Sequence, residues 1–195
     1  MGLEELFGRI EKRFGKEAVV GNDIKVDTVS SGSMALDEIL GGGFALGRIH
    51  EIYGGFSSGK SSAALHLSAS VQKTLGKAVG YVDTEQALDL EYAKALGVDL
   101  SRDKWIMSQP DSAEQALEIV REMLEVPEIG LVVLDSVAGL VPEAVLQGEA
   151  GDAKIALVAR LMSQQLSILK NVCKKNGNIL LCINQTRQKI GGMGF

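Results

Sequence analysis

The stretch Gly54-Gly55-Phe56-Ser57-Ser58-Gly59-Lys60-Ser61 satisfies the phosphate-binding pattern G-x-x-x-x-G-K-[ST] at every fixed position. Residues 48–53 before it predict a strand and residues 60–75 predict a helix, which is the setting that the pattern requires. Small residues let the backbone wrap a phosphate group with its N–H groups pointing inward, and the helix N-terminus adds partial positive charge. We therefore predict that Lys60 lies between the β- and γ-phosphates of ATP and that the Ser61 hydroxyl binds Mg²⁺.

Further strands and helices alternate along the chain after this loop. Residues 131–134, Leu-Val-Val-Leu, form a continuous apolar run that is typical of a strand buried on both faces. Ser112, followed three positions later by Gln115, predicts a capping box at the start of a helix over residues 112–124. This alternation predicts an α/β fold of the P-loop NTPase type, with a mostly parallel central sheet flanked by helices. The other predicted strands are residues 78–83, 105–107 and 179–183, and the other predicted helices are residues 33–40, 88–96 and 153–175.

The composition is that of a globular protein, and the charge balance is not that of a polycation. Hydrophobic residues make up 46% and charged residues 23% of the 195 residues, so the chain can bury a sizeable core. The formal net charge is −5, so any contact with nucleic acid must come from a local basic surface. No apolar run approaches the roughly 20 residues of a membrane span, and we expect a cytoplasmic protein without a signal peptide. Cys173 and Cys182 form no metal-binding pair and are expected to be core residues in a reducing compartment.

Polar side chains follow three of the predicted strands, at the edge where ligands of open α/β sheets bind. Asp135 closes the continuous apolar run and is expected to hold Mg²⁺ directly or through water. Asp83 and Glu85 end another strand, and either carboxylate is suited to polarise the water that attacks ATP. Glu85 is the first candidate, but periodicity alone does not separate the two. Gln185 follows a third strand, where its amide is placed either to hydrogen-bond the γ-phosphate or to face solvent.

Residues 1–28 predict an N-terminal element made of a helix and a linker strand, separate from a core over residues 29–195. Leu3, Phe7 and Phe14 recur at helical spacing and give the helix an apolar stripe. A detached helix must bury such a stripe, either on its own domain or on a neighbouring subunit. The pattern of residues leaves both possibilities open.

Together these residues resemble the bacterial RecA recombinase family over nearly the whole chain. Many motifs in the same order carry the resemblance, and this is far more specific than a phosphate-binding loop alone. Besides the loop, the motifs are Ser31-Gly32-Ser33-Met34-Ala35-Leu36-Asp37, Gly47-Arg48-Ile49-His50-Glu51-Ile52-Tyr53, Val82-Asp83-Thr84-Glu85-Gln86-Ala87-Leu88-Asp89, Ser108-Gln109-Pro110-Asp111, Val133-Leu134-Asp135-Ser136-Val137-Ala138, Glu149-Ala150-Gly151-Asp152, Ala159-Arg160-Leu161-Met162-Ser163-Gln164 and Ile183-Asn184-Gln185-Thr186-Arg187-Gln188-Lys189-Ile190-Gly191.

The resemblance implies an ATPase that forms helical filaments on single-stranded DNA and pairs it with homologous duplex DNA in recombination and repair. It implies that Glu85 is the catalytic glutamate, in preference to Asp83, and that Gln185 couples the γ-phosphate to a DNA-binding loop. Residues 1–28 would then be a polymerisation element that docks on a neighbouring subunit. The nucleotide-binding residues that it implies are Gly54, Gly55, Phe56, Ser57, Ser58, Gly59, Lys60, Ser61, Ser62, Asp89, Tyr92 and Asp135, with Tyr92 stacking on the adenine.

Two DNA-binding loops are also implied by the resemblance. The first corresponds to residues 147–154 and is followed by Arg160, and the second begins near Arg187. We expect Lys154, Arg160, Arg187 and Lys189 to contact the phosphate backbone, which gives affinity without sequence choice.

The chain also departs from the family pattern at several positions. Gly55-Phe56 stands where the family usually has Pro-Glu, Ser61-Ser62 where it has a Thr pair, and Gln86 where it has His. The family continues past the position of Phe195 with further core strands and a C-terminal domain, so we expect a fragment, a split gene product or a partner-completed fold. A parallel sheet that ends after Ile183 would expose a strand edge. The alternative function is a truncated relative that binds nucleotide and regulates or caps filaments of an intact recombinase.

Overall fold

The computed structural model describes residues 2–19, 25–148 and 154–186, and its centre is a parallel sheet of five strands. The strands lie in the order β3-β7-β6-β4-β5, and every neighbouring pair is parallel. Parallel neighbours put all carboxyl ends at one edge of the sheet, and the polar residues predicted there do lie at that edge. The bounds of the sheet strands are β3 Ile49–Gly54, β4 Ala78–Asp83, β5 Trp105–Ser108, β6 Ile129–Asp135 and β7 Ile179–Gln185.

Helices cover both faces of this sheet, because the central strands are apolar on both sides. In β4 the side chains of Val79 and Tyr81 face one core, and those of Ala78 and Val82 face the other. Strands buried on both faces carry such continuous apolar runs. The predicted α/β fold with a mostly parallel sheet flanked by helices is therefore confirmed. The helices are α1 Leu3–Phe14, α2 Met34–Leu40, α3 Lys60–Leu75, α4 Leu90–Ala95, α5 Ala113–Glu125, α6 Glu143–Leu146 and α7 Lys154–Asn176.

The helices divide between the two faces. Helix α3 packs its residues Ala64, Leu65 and Val71 into the core on one side of the sheet. Helices α5 and α7 pack against the other side, where Leu117 and Leu169 are buried. The phosphate-binding loop lies between β3 and α3, so the sheet and this buried helix hold it from both ends.

The start of α5 differs in one detail from the predicted capping box. The Ser112 hydroxyl accepts from the N–H of Gln115 at 3.2 Å, as expected. The Gln115 side chain, however, accepts from the N–H of Asp111 at 2.8 Å and not from that of Ser112. The reciprocal half of the box is thus shifted by one residue, and two backbone donors are still satisfied.

The N-terminal helix α1 is present and has no buried residue. Leu3 and Phe14 are 72% and 66% exposed, so the predicted apolar stripe is uncovered within the described part of the chain. After it, Thr28–Val29 (β1) pairs antiparallel with Phe44–Ala45 (β2) in a small separate sheet. The helix itself is confirmed, whereas its role in polymerisation and the division at residue 28 stay predictions.

Within the described residues the central sheet has unpaired strand edges, but its last strand along the chain is not one of them. Strand β7 lies inside the sheet, between β3 and β6, and extends to Gln185. Among the described residues of the five-stranded sheet, the strands that pair on one side only are β3 and β5. Hydrophobic periodicity identifies strands but does not give their order, so the sequence did not show which strands form the edges.

Smaller differences concern short elements. Helix α4 begins at Leu90 because the Asp89 side chain caps it by accepting from the N–H of Tyr92 at 3.0 Å. The short helix α6 and the 3-10 turns at Lys16–Ala18 and Val137–Gly139 were not predicted. None of the described helices combines the length and apolar character that crossing a membrane requires.

Candidate nucleotide-binding site

The phosphate-binding loop has the backbone conformation that its sequence predicts. Gly59 precedes α3 with φ +85°, a left-handed conformation that glycine adopts without steric cost. Ser57 also has a positive φ of 51°. The Nζ of Lys60 folds back over the loop and donates to the carbonyl oxygen of Gly55 at 2.7 Å. The lysine charge is therefore held against the backbone of the loop.

Ser61 and Asp135 come together although they are 74 positions apart in the sequence. The Ser61 hydroxyl, in the first turn of α3, donates to Oδ2 of Asp135, at the end of β6, over 2.8 Å. A hydroxyl and a carboxylate are the hard oxygen ligands that Mg²⁺ prefers, and the ion is usually bound by few protein groups together with substrate phosphates. The pair predicted for the metal thus fits a magnesium ion.

A third residue, Tyr81, completes this pair and was missed by the sequence analysis. Its hydroxyl donates to the same Oδ2 of Asp135 at 2.6 Å. Burial, and secondarily the charge of Asp135, raises the pKa of Tyr81 far above its usual range, so the phenol stays protonated and remains a donor. In sequence, Tyr81 reads as one more core residue of a buried strand, and nothing marks its hydroxyl as functional.

Glu85 lies at the centre of a second hydrogen-bonded group. Its Oε1 accepts from the Ser136 hydroxyl at 2.5 Å and from Nε2 of Gln185 at 2.8 Å. The two predicted residues, Glu85 and Gln185, are therefore in direct contact across 100 sequence positions. Ser136 is 1% exposed and was not singled out, although it follows Asp135 directly.

Asp83, the other candidate base, has a different environment. It is 3% exposed, and its carboxylate accepts from the N–H groups of Glu85 and Leu88 at 3.3 and 3.1 Å. Nε2 of Gln109 also donates to it at 3.2 Å. These bonds fix the turn that presents Glu85, whose side chain is exposed. The geometry gives Asp83 the part of a support for the turn and Glu85 access to a bound ligand.

Thr84 ties this turn to the end of β6. Its hydroxyl accepts from the N–H of Ser136 at 2.9 Å and donates to the carbonyl of the same residue at 2.8 Å. Its own N–H donates to the carbonyl of Asp135 at 2.7 Å. Gly139 packs behind, where an added Cβ would collide with the Thr84 hydroxyl. The two carboxylates Glu85 and Asp135 are thereby held in one rigid arrangement.

The residues expected to contact the adenine lie beside the start of α3. The Tyr92 hydroxyl and the Ser62 hydroxyl are hydrogen-bonded at 3.1 Å, and the Tyr92 ring is 45% exposed. Asp89 is exposed and caps α4. One cavity of about 170 Å³ joins Ser61, Asp83, Glu85, Asp89, Tyr92 and Asp135 with three apolar residues, so the structure brings the adenine-side and metal-side residues together.

The predicted DNA contacts are only partly within the described residues. Arg160 is an exposed residue of α7. Lys154 begins that helix, and its side chain is not described. Arg187 and Lys189, together with residues 149–153 of the first loop, lie outside the described residues. The DNA interface therefore stays a prediction.

A larger apolar groove lies next to Gln185, on the side of the sheet covered by α7. It measures about 630 Å³ and runs between β3 and α7, with Ile49, Val158 and Met162 in its walls. Gln185 lines this groove and also donates to Glu85, so it contacts both the groove and the candidate nucleotide site.

Comparison with known proteins agrees with this geometry. The family model for the RecA N-terminal domain matches residues 2–195. Proteins named Protein RecA from Latilactobacillus sakei subsp. sakei (strain 23K) and Lactobacillus delbrueckii subsp. bulgaricus are each 50% identical over 98% of this chain, which covers 54% and 58% of their lengths. Protein RecA from Listeria monocytogenes serotype 4a is 47% identical over 98% of this chain and 56% of its own. The chain spans about half the length of these curated relatives. It therefore belongs to the RecA family.

Proposed function

We propose that this chain supplies the nucleotide-binding core of an ATP-dependent DNA recombination and repair protein, with hydrolysis of ATP to ADP and phosphate stimulated by single-stranded DNA. The observation that carries the proposal is the hydrogen-bonded set joining the phosphate-binding loop to Asp135 and joining Glu85 to Gln185. A simple nucleotide-binding module would need the loop but not the second carboxylate with its two donors. Membership of the RecA family supports this function over that of a filament cap.

In the proposed mechanism the loop binds the terminal phosphates of ATP. Its backbone N–H groups and Lys60 would surround the phosphate oxygens, with the lysine exchanging its bond to Gly55 for one to the nucleotide. Ser61 and Asp135 would hold Mg²⁺, which neutralises charge that develops on the phosphates when it is bound. These residues position the phosphates and stabilise their charge, which is most of a protein's contribution to phosphoryl transfer.

Glu85 is proposed to orient the attacking water and to accept its proton. Both hydrogen bonds that the structure gives its carboxylate use Oε1. Oε2 is then the oxygen that receives the proton, while the buried Ser136 keeps the carboxylate from turning away. A positioned general base of this kind contributes about 10²- to 10⁴-fold to rate.

Gln185 is proposed to link the nucleotide to DNA. Its amide is bonded to Glu85 at 2.8 Å, and it ends β7, directly before the predicted DNA contacts Arg187 and Lys189. A γ-phosphate that binds beside Glu85 would compete for this amide and pull on the end of β7. We propose single-stranded and homologous duplex DNA as partners, with α1 joining subunits into a filament in the cytoplasm.

The test is ATP hydrolysis measured with and without single-stranded DNA over a range of salt concentrations. We expect stimulation by DNA that falls steeply with salt, because phosphate contacts release counterions. Lys60→Ala should abolish hydrolysis, and calorimetry should show loss of magnesium-nucleotide binding. Lys73→Ala, an exposed lysine of the same helix α3, is the matched control and should behave as wild type.

Two results would contradict the proposal. The first is unchanged hydrolysis in Lys60→Ala, which would place the site elsewhere. The second is a folded wild-type chain that binds no magnesium-nucleotide. The alternative function, capping of filaments, predicts a different result. When this protein is added to an intact recombinase, a cap would shorten the filaments, whereas a competent subunit would extend them.

A further inference from the structure

The oxygen Oδ2 of Asp135 accepts two hydrogen bonds, and the second donor is a buried phenol. Tyr81 donates at 2.6 Å and Ser61 at 2.8 Å. The contact with Ser61 follows from the shared metal site. The contact with Tyr81 does not, because that residue lies on β4, the strand next to β6, and is not part of the pair predicted for the metal. Tyr81 is otherwise surrounded by a hydrophobic cluster, and its hydroxyl donates to this one carboxylate.

We propose that Tyr81 is a positioning residue that fixes the Asp135 carboxylate for Mg²⁺ binding. The inference rests on the proposed function, since it assumes that Asp135 faces the metal. It adds a residue from a strand that carries no part of the phosphate-binding loop.

Tyr81 is suited to this role because it is immobile. Its side chain is 0% exposed, and its ring packs on that of Trp105 with centroids 5.4 Å apart. A phenol clamped in this way offers one fixed donor position, unlike a solvent-exposed hydroxyl. With Oδ2 held by Tyr81 and Ser61, the other oxygen, Oδ1, points in one direction and is the oxygen available to the metal or to its water.

The expected effect on metal affinity follows from the side-chain rotation of Asp135 that the hydrogen bond from Tyr81 prevents. An unrestrained aspartate samples about three staggered χ1 wells, so fixing one of them is worth about threefold in the fraction ready to bind. Partners of metal ligands typically contribute about 10- to 100-fold to affinity. Because Ser61 would still hold Oδ2, we expect loss of the phenol hydroxyl to weaken metal binding about three- to tenfold.

The experiment compares Tyr81→Phe with wild type in the full chain. Mn²⁺ serves as the probe, and free Mn²⁺ is measured by electron paramagnetic resonance at saturating, non-hydrolysable ATP analogue. Nucleotide affinity is measured separately in the presence of a metal chelator. Tyr53→Phe, which removes the hydroxyl of a 70% exposed tyrosine, is the matched control. Urea unfolding establishes that each variant is folded.

A double-mutant cycle separates positioning from general damage to the fold. Asp135→Asn weakens metal binding by itself, and adding Tyr81→Phe to it should cause no further loss, because the phenol acts through the carboxylate. The expected result is a three- to tenfold weaker Mn²⁺ affinity in Tyr81→Phe alone, with nucleotide affinity without metal within twofold of wild type.

Each other outcome overturns the inference. Equal or tighter Mn²⁺ binding in Tyr81→Phe would show that the phenol does not position the carboxylate. The same loss in the Asp135→Asn background would show a general structural effect. If Asp135→Asn weakens metal binding and Tyr81→Phe does not, the inference fails and the proposed function stands. If wild type shows no nucleotide-dependent Mn²⁺ binding, both fail.

Discussion

Replacing Asp83 by asparagine tests whether Asp83 stabilises the turn after β4 while Glu85 is the catalytic carboxylate. The substitution preserves the shape of the side chain and removes its charge. In the structure Asp83 is 3% exposed and accepts from two backbone N–H groups and from Gln109. If Asp83 supports the turn, its replacement should lower the free energy of unfolding. Glu85→Gln, on an exposed residue of the same turn, is the comparison.

The expected loss in the free energy of unfolding follows from the three hydrogen bonds to Asp83, taken in turn. In the asparagine, the oxygen corresponding to Oδ1 still accepts from Glu85 N–H, and the Gln109 amide can rotate to offer its oxygen. The N–H of Leu88 then faces an NH₂ group and loses its acceptor. A hydrogen bond to a charged group contributes about 1.5–3 kcal/mol, so we expect about 2 kcal/mol of destabilisation. Glu85→Gln keeps an acceptor oxygen and should cost less than about 1 kcal/mol.

The assay is urea unfolding followed by circular dichroism. With a slope near 2 kcal/mol per molar urea, the loss corresponds to a midpoint lowered by about 1 M for Asp83→Asn. Equal slopes in the two variants would show that the folded and unfolded ensembles are comparable. The reasoning is refuted if Asp83→Asn is no less stable than Glu85→Gln.

Three further outcomes are expected. Glu85→Gln should slow phosphate release about 10²- to 10⁴-fold while nucleotide affinity stays near wild type, because the charge that accepts the proton is lost and the loop is untouched. Burial raises the pKa of Cys173 to about 11 and that of Cys182 to about 12, from 9.0, so both thiols should resist modification at pH 8 until urea is added. For the same reason the free energy of unfolding should fall as pH rises above about 8.5, since only the unfolded chain then ionises its thiols. Arg160→Ala should weaken single-stranded DNA binding uniformly and lower the salt slope by about one.

These expectations have clear contrary results. Phosphate release within a few-fold of wild type in Glu85→Gln would remove that residue as the base. Rapid labelling of the native thiols, or stability that is flat from pH 8 to pH 10, would contradict the buried cysteines. An unchanged salt slope in Arg160→Ala, compared with Lys170→Ala on the same helix as control, would remove Arg160 from the DNA interface.

Local signals in the sequence predicted most of the fold. Helix α3 and strand β4 have the predicted bounds, because a glycine-rich loop and apolar runs mark them sharply. The open choice between Asp83 and Glu85 shows where such signals end. Both follow the same strand, and apart from the family resemblance it is the three hydrogen bonds to Asp83 and the exposure of Glu85 that distinguish them.

The residues that the sequence did not reveal act across distant elements. Tyr81 reaches Asp135 over 54 positions and Ser136 reaches Glu85 over 51. Each looks in sequence like a core residue or a strand-end serine, because strand order decides which side chains meet. That order, with β7 inside the sheet, is set by three-dimensional packing and not by periodicity.

The interior position of β7 also constrains how the protein is made. Asn184 on this strand bonds to Glu51 on β3 at a separation of 133 residues. During synthesis β3 leaves the ribosome long before the strand that must be inserted beside it, so the nascent chain exposes apolar surface until β7 emerges. Such long-range pairing folds slowly and favours aggregation in the meantime. Within the described sheet β7 is the one strand that β3 pairs with, so β3 has no partner in this sheet until β7 has been made.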